Sequence, residues 1–182
     1  IARERMVRPA FWNGRKMKIK FYANSGKPEA KMAVGRLSDV ARSLGLETVA
    51  SVSRAPGAVV IALGGDGTIL HMAKAATRHR LPILGVNIGT MGFIAELESS
   101  ELDLLNKLAS GDYTVDSRMM LDVTVHRGRD IIFHDICLND AAITKGAVAR
   151  IVHLSVKCDG VQAMECGGDG IVIATPTGST AY

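Results

Sequence analysis

Two domains in series are predicted for this chain: an α/β domain of Rossmann-like type with a parallel sheet, then an all-β domain of antiparallel, sandwich-type strands. Two observations carry that reading. From Lys18 to Arg118, short apolar runs alternate with stretches of helical period, and this strand, helix, strand, helix order implies a parallel sheet joined by right-handed crossovers. After Arg118 the apolar residues recur at every second position and turn residues separate the runs, as in antiparallel β structure. The junction is placed at residues 113–118, giving an α/β domain over 17–115 and a β-rich domain over 116–182.

The elements follow in order. Residues 19–23 read as a strand, and 28–44 as an amphipathic helix with Met32, Val34, Leu37, Val40, Ala41 and Leu44 on one stripe. Pro28 opens that helix and Gly45 closes it. Residues 48–52 are a second strand. Residues 58–63 are apolar throughout, as a central parallel strand covered on both faces should be. A helix over 68–77, a strand over 82–86, the loop 87–93 and a short helix over 101–109, stopped by Gly111, complete the first domain. In the second, residues 121–126 and 131–138 flank the turn 127–130. Residues 151–158 and 161–166 flank Asp159-Gly160, a hairpin signal.

Charge narrows the function classes. The formal net charge of +4 lies in residues 1–18, which hold six of the 22 basic residues and one of the 18 acidic ones. The remainder, with 16 basic against 17 acidic residues, offers no basic stripe for a nucleic acid backbone. Residues 1–16 precede Met17 and stand outside the fold scheme, as a native arm, an upstream segment or a vector remnant. No apolar stretch suits a membrane span or a signal peptide, so a cytoplasmic protein is expected. Cys137, Cys158 and Cys166 have no C-x-x-C spacing and read as reduced thiols, and the five His form no Cys/His cluster, so no protein metal centre is predicted.

Three segments carry chemistry. Gly64-Gly65-Asp66-Gly67-Thr68 follows the buried strand directly and precedes a helix, at the sheet edge where ligands bind in open α/β sheets. Glycines let the backbone approach a ligand, and the helix start offers N–H groups to phosphate oxygens. The loop lacks the Lys of a Walker motif and the spacing of the dinucleotide fingerprint. Its distinguishing residue is Asp66. A carboxylate beside phosphates is unfavourable unless it binds a cation or takes a proton, which points to a general base activating a hydroxyl. The structural alternative is that Asp66 caps the helix. The second segment, Asn139-Asp140, has donors and acceptors suited to a ribose diol, or is a simple turn. The third runs from Gly167-Gly168-Asp169-Gly170 through an apolar stretch to Thr175-Pro176-Thr177-Gly178-Ser179-Thr180-Ala181-Tyr182, a hydroxyl-rich array for a nucleotide or a Ser/Thr loop.

In this order the three segments resemble the NAD kinase family, dependent on ATP or polyphosphate, over residues 18–182, and residues 87–96 fit as well. The glycine loop alone is shared with diacylglycerol, sphingosine and phosphofructokinase-type kinases; the last octapeptide together with Asn139-Asp140 is specific. The resemblance implies phosphoryl transfer to the 2′-hydroxyl of the adenosine ribose of NAD, with Asp66 as base, Gly67 beside the ligand and His71 at a phosphate contact, or else facing solvent. It further implies Asn139 and Asp140 at the NAD ribose, Arg150 near the second nucleotide portion and Asp169 at the nicotinamide half. Thr177, Thr180, Ala181 and Tyr182 would line the adenine side. Mg²⁺, ATP and NAD are the expected ligands, and a homodimer or homotetramer with sites completed by a neighbour is the expected assembly. Gly167 stands where many members carry a basic residue, and members continue well beyond the position of Tyr182, so the β domain is expected to be incomplete. A lipid kinase and a non-catalytic dinucleotide-binding fragment are the competing readings.

Overall fold

The computed structural model describes residues 17–23, 28–51, 58–89, 92–146 and 151–181. Residues 1–16, Arg150 and Tyr182, together with the side chain of Ala181, lie outside this description. The chain divides into two compact units, the first ending at Ser117 and the second beginning at Arg118.

The first unit contains β1 (Lys18–Ala23), α1 (Pro28–Ser43), β2 (Glu47–Thr48), β3 (Val59–Leu63), α2 (Asp66–Arg78), β4 (Ile83–Asn87) and β5 (Leu97–Glu98). A 3₁₀ turn over Leu102–Leu104 leads into α3 (Leu105–Ser110). The strands form one parallel sheet in the order β2-β1-β3-β4-β5. All five residues of β3 are buried because both of its faces are covered. Val59, Ile61 and Leu63 pack with Ile19, Leu37, Ala41, Val86, Leu105 and Leu108. Val60 and Ala62 alternate to the other face, against Ile69, Met72 and Ala76 of α2. Burying each large aliphatic side chain in this way stabilises the fold by about 1.5–3 kcal/mol. Helix α1 stops where expected: Gly45 is left-handed at φ 74°, with Leu46 N–H donating to Ala41 O at 2.9 Å.

Several elements differ from the sequence reading. Strand β2 is only two residues long, both exposed at the sheet edge, although Val49 N–H still reaches Ile19 O at 2.9 Å. Helix α2 begins at Asp66 instead of Thr68, which places Asp66 within its first turn. Strand β5, two half-buried residues beside β4, had no periodic signature to reveal it.

The second unit holds β6 (Leu121–Arg127), β7 (Asp130–Cys137), β8 (Asp140–Thr144), β9 (Val152–Cys158), β10 (Val161–Gly168) and β11 (Gly170–Ala174). The strands expected for a sandwich pair as three two-stranded antiparallel ladders: β6 with β7, β8 with β11 and β9 with β10. Asp159 (φ 50°) and Gly160 (φ 81°) make the turn of the last hairpin, the double positive φ that its right-handed twist favours. A final 3₁₀ turn covers Gly178–Ala181. Among the described residues Cys137, Cys158 and Cys166 form no disulfide. Among the described residues no helix is long and apolar enough to cross a membrane.

Candidate active site

In the sheet order β2-β1-β3-β4-β5, connections leave β1 in opposite directions, so the switch point lies between β1 and β3. Ligands of doubly wound sheets bind in the crevice beyond the carboxyl ends of such strands. Ala23 and Leu63 pair at those ends, and the glycine loop starts at the next residue. Gly64 donates its N–H to Val86 O at 3.0 Å and turns at φ 158°. A Cβ at Gly64 would stand 2.3 Å from Thr68 Oγ1 and 2.7 Å from Thr68 Cβ, so a side chain is excluded there. Gly65 is the N-cap residue, in extended backbone and without a side-chain cap. The first N–H groups of α2 thus point out of the loop, the arrangement that favours phosphate oxygens.

Asp66 is half-buried, and its carboxylate does not cap α2. It reaches across to the segment after β4 instead. Its Oδ2 accepts the N–H of Phe93 at 2.9 Å and its Oδ1 that of Ile94 at 3.1 Å. Two hydrogen bonds leave lone pairs on both oxygens, enough to receive a hydroxyl proton donor. Gly67 is exposed beside it. His71, on the exposed side of α2, stacks on Tyr22 of β1 with ring centroids 5.9 Å apart and 27° between planes. His71 nonetheless remains exposed. Asn87, at the end of β4, is 1% exposed; its Nδ2 donates to the Glu98 carboxylate at 3.2 Å, while its buried Oδ1 has no partner among the described residues.

In the second unit the β8/β11 ladder pairs Asp140 with Ala174 and so joins the other two segments. Thr175 is the residue that the sequence reading missed. It is 1% exposed, its N–H donates to Asn139 O at 2.8 Å, its hydroxyl donates to Leu138 O, and its Oγ1 accepts the N–H of Gly178 at 3.1 Å. A Cβ on Gly178 would meet Asn139 O at 2.3 Å, so the two segments touch backbone to backbone. Thr177 Oγ1 lies 3.5 Å from the Arg118 guanidinium, and Thr180 Oγ1 donates to Thr177 O at 3.3 Å. Asn139, Asp140 and Thr177 are thereby gathered at one end of β11. Asp169 is not. It precedes the other end of that strand, roughly 17 Å away at about 3.4 Å per residue, where its carboxylate binds Lys145 Nζ at 2.7 Å.

The profile of the ATP-NAD kinase N-terminal domain matches residues 24–113, and that of the ATP-NAD kinase C-terminal domain matches residues 138–182. The chain belongs to the NAD kinase family. An NAD kinase of Geobacter metallireducens is 46% identical over 125 residues, which are 68% of this chain and 44% of that relative. NAD kinase 2 of Streptomyces coelicolor is 44% identical over 125 residues, 68% of this chain and 42% of its own length. The matched part of the chain thus spans less than half the length of these NAD kinases. The fold agrees as well: a crystal structure of yeast NADH kinase complexed with NADH superposes with a TM-score of 0.77 at 21% identity, covering 94% of this chain and 61% of the yeast one.

Proposed function

We propose that this chain contributes the site at which an NAD kinase transfers the terminal phosphate of ATP, or of polyphosphate, to the 2′-hydroxyl of the adenosine ribose of NAD, giving NADP. The observation that carries the reading is the Asp66 carboxylate, oriented at the carboxyl edge of β3 beside a glycine loop and retaining acceptor capacity. Its proton-accepting role is modest in kind. The hydroxyl oxygen forms a bond to the terminal phosphorus as the bond to the ADP oxygen breaks, and the hydroxyl proton passes late to Asp66. Because such transfer has a loose transition state, orientation and charge neutralisation carry most of the catalysis.

The other roles follow the family's motif positions. Gly67 and His71 lie toward the phosphates, and Asn139 and Asp140 hold the NAD ribose. Thr177, Thr180, Ala181 and Tyr182 line the adenine side, and Arg150 lies near the second nucleotide portion. Asp169 serves the nicotinamide half, and a homodimer or homotetramer is the assembly that the family resemblance implies. Mg²⁺ would accompany the phosphates of the donor, keeping much of its water. Such an ion supplies charge neutralisation on the transferred group. A lipid kinase shares the glycine loop, but the match of residues 138–182 to the C-terminal NAD kinase domain favours NAD. We assign the protein to the cytoplasm, as an enzyme acting on free nucleotides.

The test is NADP formation from NAD and ATP. Asp66→Asn should lower turnover by roughly 10²- to 10⁴-fold while NAD still binds. Near-normal turnover would remove Asp66 from the base role, and NAD binding by the unaltered protein without any NADP would leave a dinucleotide-binding module.

A further inference from the structure

We propose that Gly92 is a positioning residue for the Asp66 carboxylate: by lacking a side chain it lets the Phe93 and Ile94 amides grip both carboxylate oxygens and aim the remaining lone pairs. The inference rests on Asp66 acting as the base. A carboxylate held by one hydrogen bond still rotates about its Cβ–Cγ bond. Held through both oxygens, at 2.9 and 3.1 Å, it has a fixed plane as well as a fixed position.

In the segment that makes the grip the Phe93 side chain is 97% exposed, while Ile94 and Ala95 pack against the α2 side of the sheet. The segment is held from the sheet side, where Glu96 N–H donates to Gly85 O at 3.1 Å and Gly85 N–H donates to Glu96 Oε2 at 2.8 Å. A Cβ at position 92 would stand 2.1 Å from Asp66 Oδ1, 2.7 Å from its Cγ and 3.0 Å from its Oδ2. Every one of those atoms belongs to the movable end of Asp66. A methyl group at 92 therefore displaces the base and leaves the backbone intact, and this separates a positioning role from a folding one.

The experiment compares the unaltered protein with Gly92→Ala, Asp66→Asn and the double variant. We measure NADP formation, NAD affinity by calorimetry without ATP, and amide exchange by NMR. Gly92→Ala should lower kcat by roughly 10- to 100-fold, the scale of an ångström-sized misplacement, with NAD affinity kept within about threefold. The double variant should be no slower than Asp66→Asn alone, because both changes act through one carboxylate. An unchanged kcat in Gly92→Ala, or a double variant slower than Asp66→Asn by the full Gly92→Ala factor, overturns the proposal. The amide arm needs neither turnover nor a folded Gly92→Ala. Phe93 and Ile94 amides should exchange slowly in the unaltered protein and lose that protection in Asp66→Asn; fast exchange in the unaltered protein overturns the grip itself. Normal turnover of Asp66→Asn with protection lost would instead sink the base assignment and leave the grip standing.

Discussion

Tyr113 packs against the α1 side of the sheet and places its hydroxyl in a buried position without a partner among the described residues. Burial raises the phenol above its ordinary value near 10, since the charged form is the one that loses hydration. The sign follows. A folded-state value above the unfolded one means that the unfolded chain ionises first, so this contribution to stability is complete below about pH 10 and is lost as pH rises through the folded value. Tyr113→Phe should therefore be as stable as the unaltered protein at pH 7 or more stable by about 1 kcal/mol, since an orphan hydroxyl is removed. Denaturant titrations at pH 7 and above 10 check both points, and the variant should lose less stability between them. At this scale the sequence singled out Asp66 because a carboxylate inside a glycine turn at a strand's carboxyl end is unusual. Its partners were not legible, because the two amides lie 27 and 28 residues away and a backbone N–H leaves no residue signature.

Between elements, the β8/β11 ladder with Thr175 at its end decides where Asn139 stands. Thr175→Val keeps the shape but leaves Leu138 O and the Gly178 N–H without their partner, which should cost about 1–3 kcal/mol. Thr175→Ser keeps the hydroxyl and should recover most of that loss; urea unfolding of both variants, followed by NAD titration, measures it. Equal stability of the valine variant would show that the hydroxyl is dispensable. The sequence reading grouped Thr175 with the other hydroxyls of the third segment, and only burial distinguishes it from Thr177 and Thr180. Strand β3 was readable because cover on both faces forces a continuous apolar run. Strand β8 was not foreseen, since Asp140-Ala141-Ala142-Ile143-Thr144 shows neither alternation nor enough β-branched residues. Strands β2 and β5 are too short to carry a period.

Across the whole chain, the two units differ in how much apolar surface they remove from water. The first has cores on both faces of its sheet, whereas among the described residues of the second only Leu138 is a buried hydrophobic, and Ile131, Phe133, Val161 and Ile173 stay exposed. Isolated two-stranded ladders are marginal in water. Hydrogen exchange should therefore be slowest in β1, β3 and β4 and faster by at least about tenfold in β6 and β7, in keeping with local opening tracking buried contact; equal protection in both would contradict that ranking. The change of period near residue 118 and the turns joining β6 to β7 and β9 to β10 were visible in the sequence, but the pairing of β8 with β11 was not, because the whole β9/β10 hairpin separates them. That separation has a consequence of its own. The hairpin leaves and returns through a single neck, where Lys145 and Asp169 are tied by a 2.8 Å backbone bond and a 2.7 Å ion pair. Beyond that neck the hairpin is an arm whose length and sequence can change among descendants of this gene without moving the β8/β11 ladder below it.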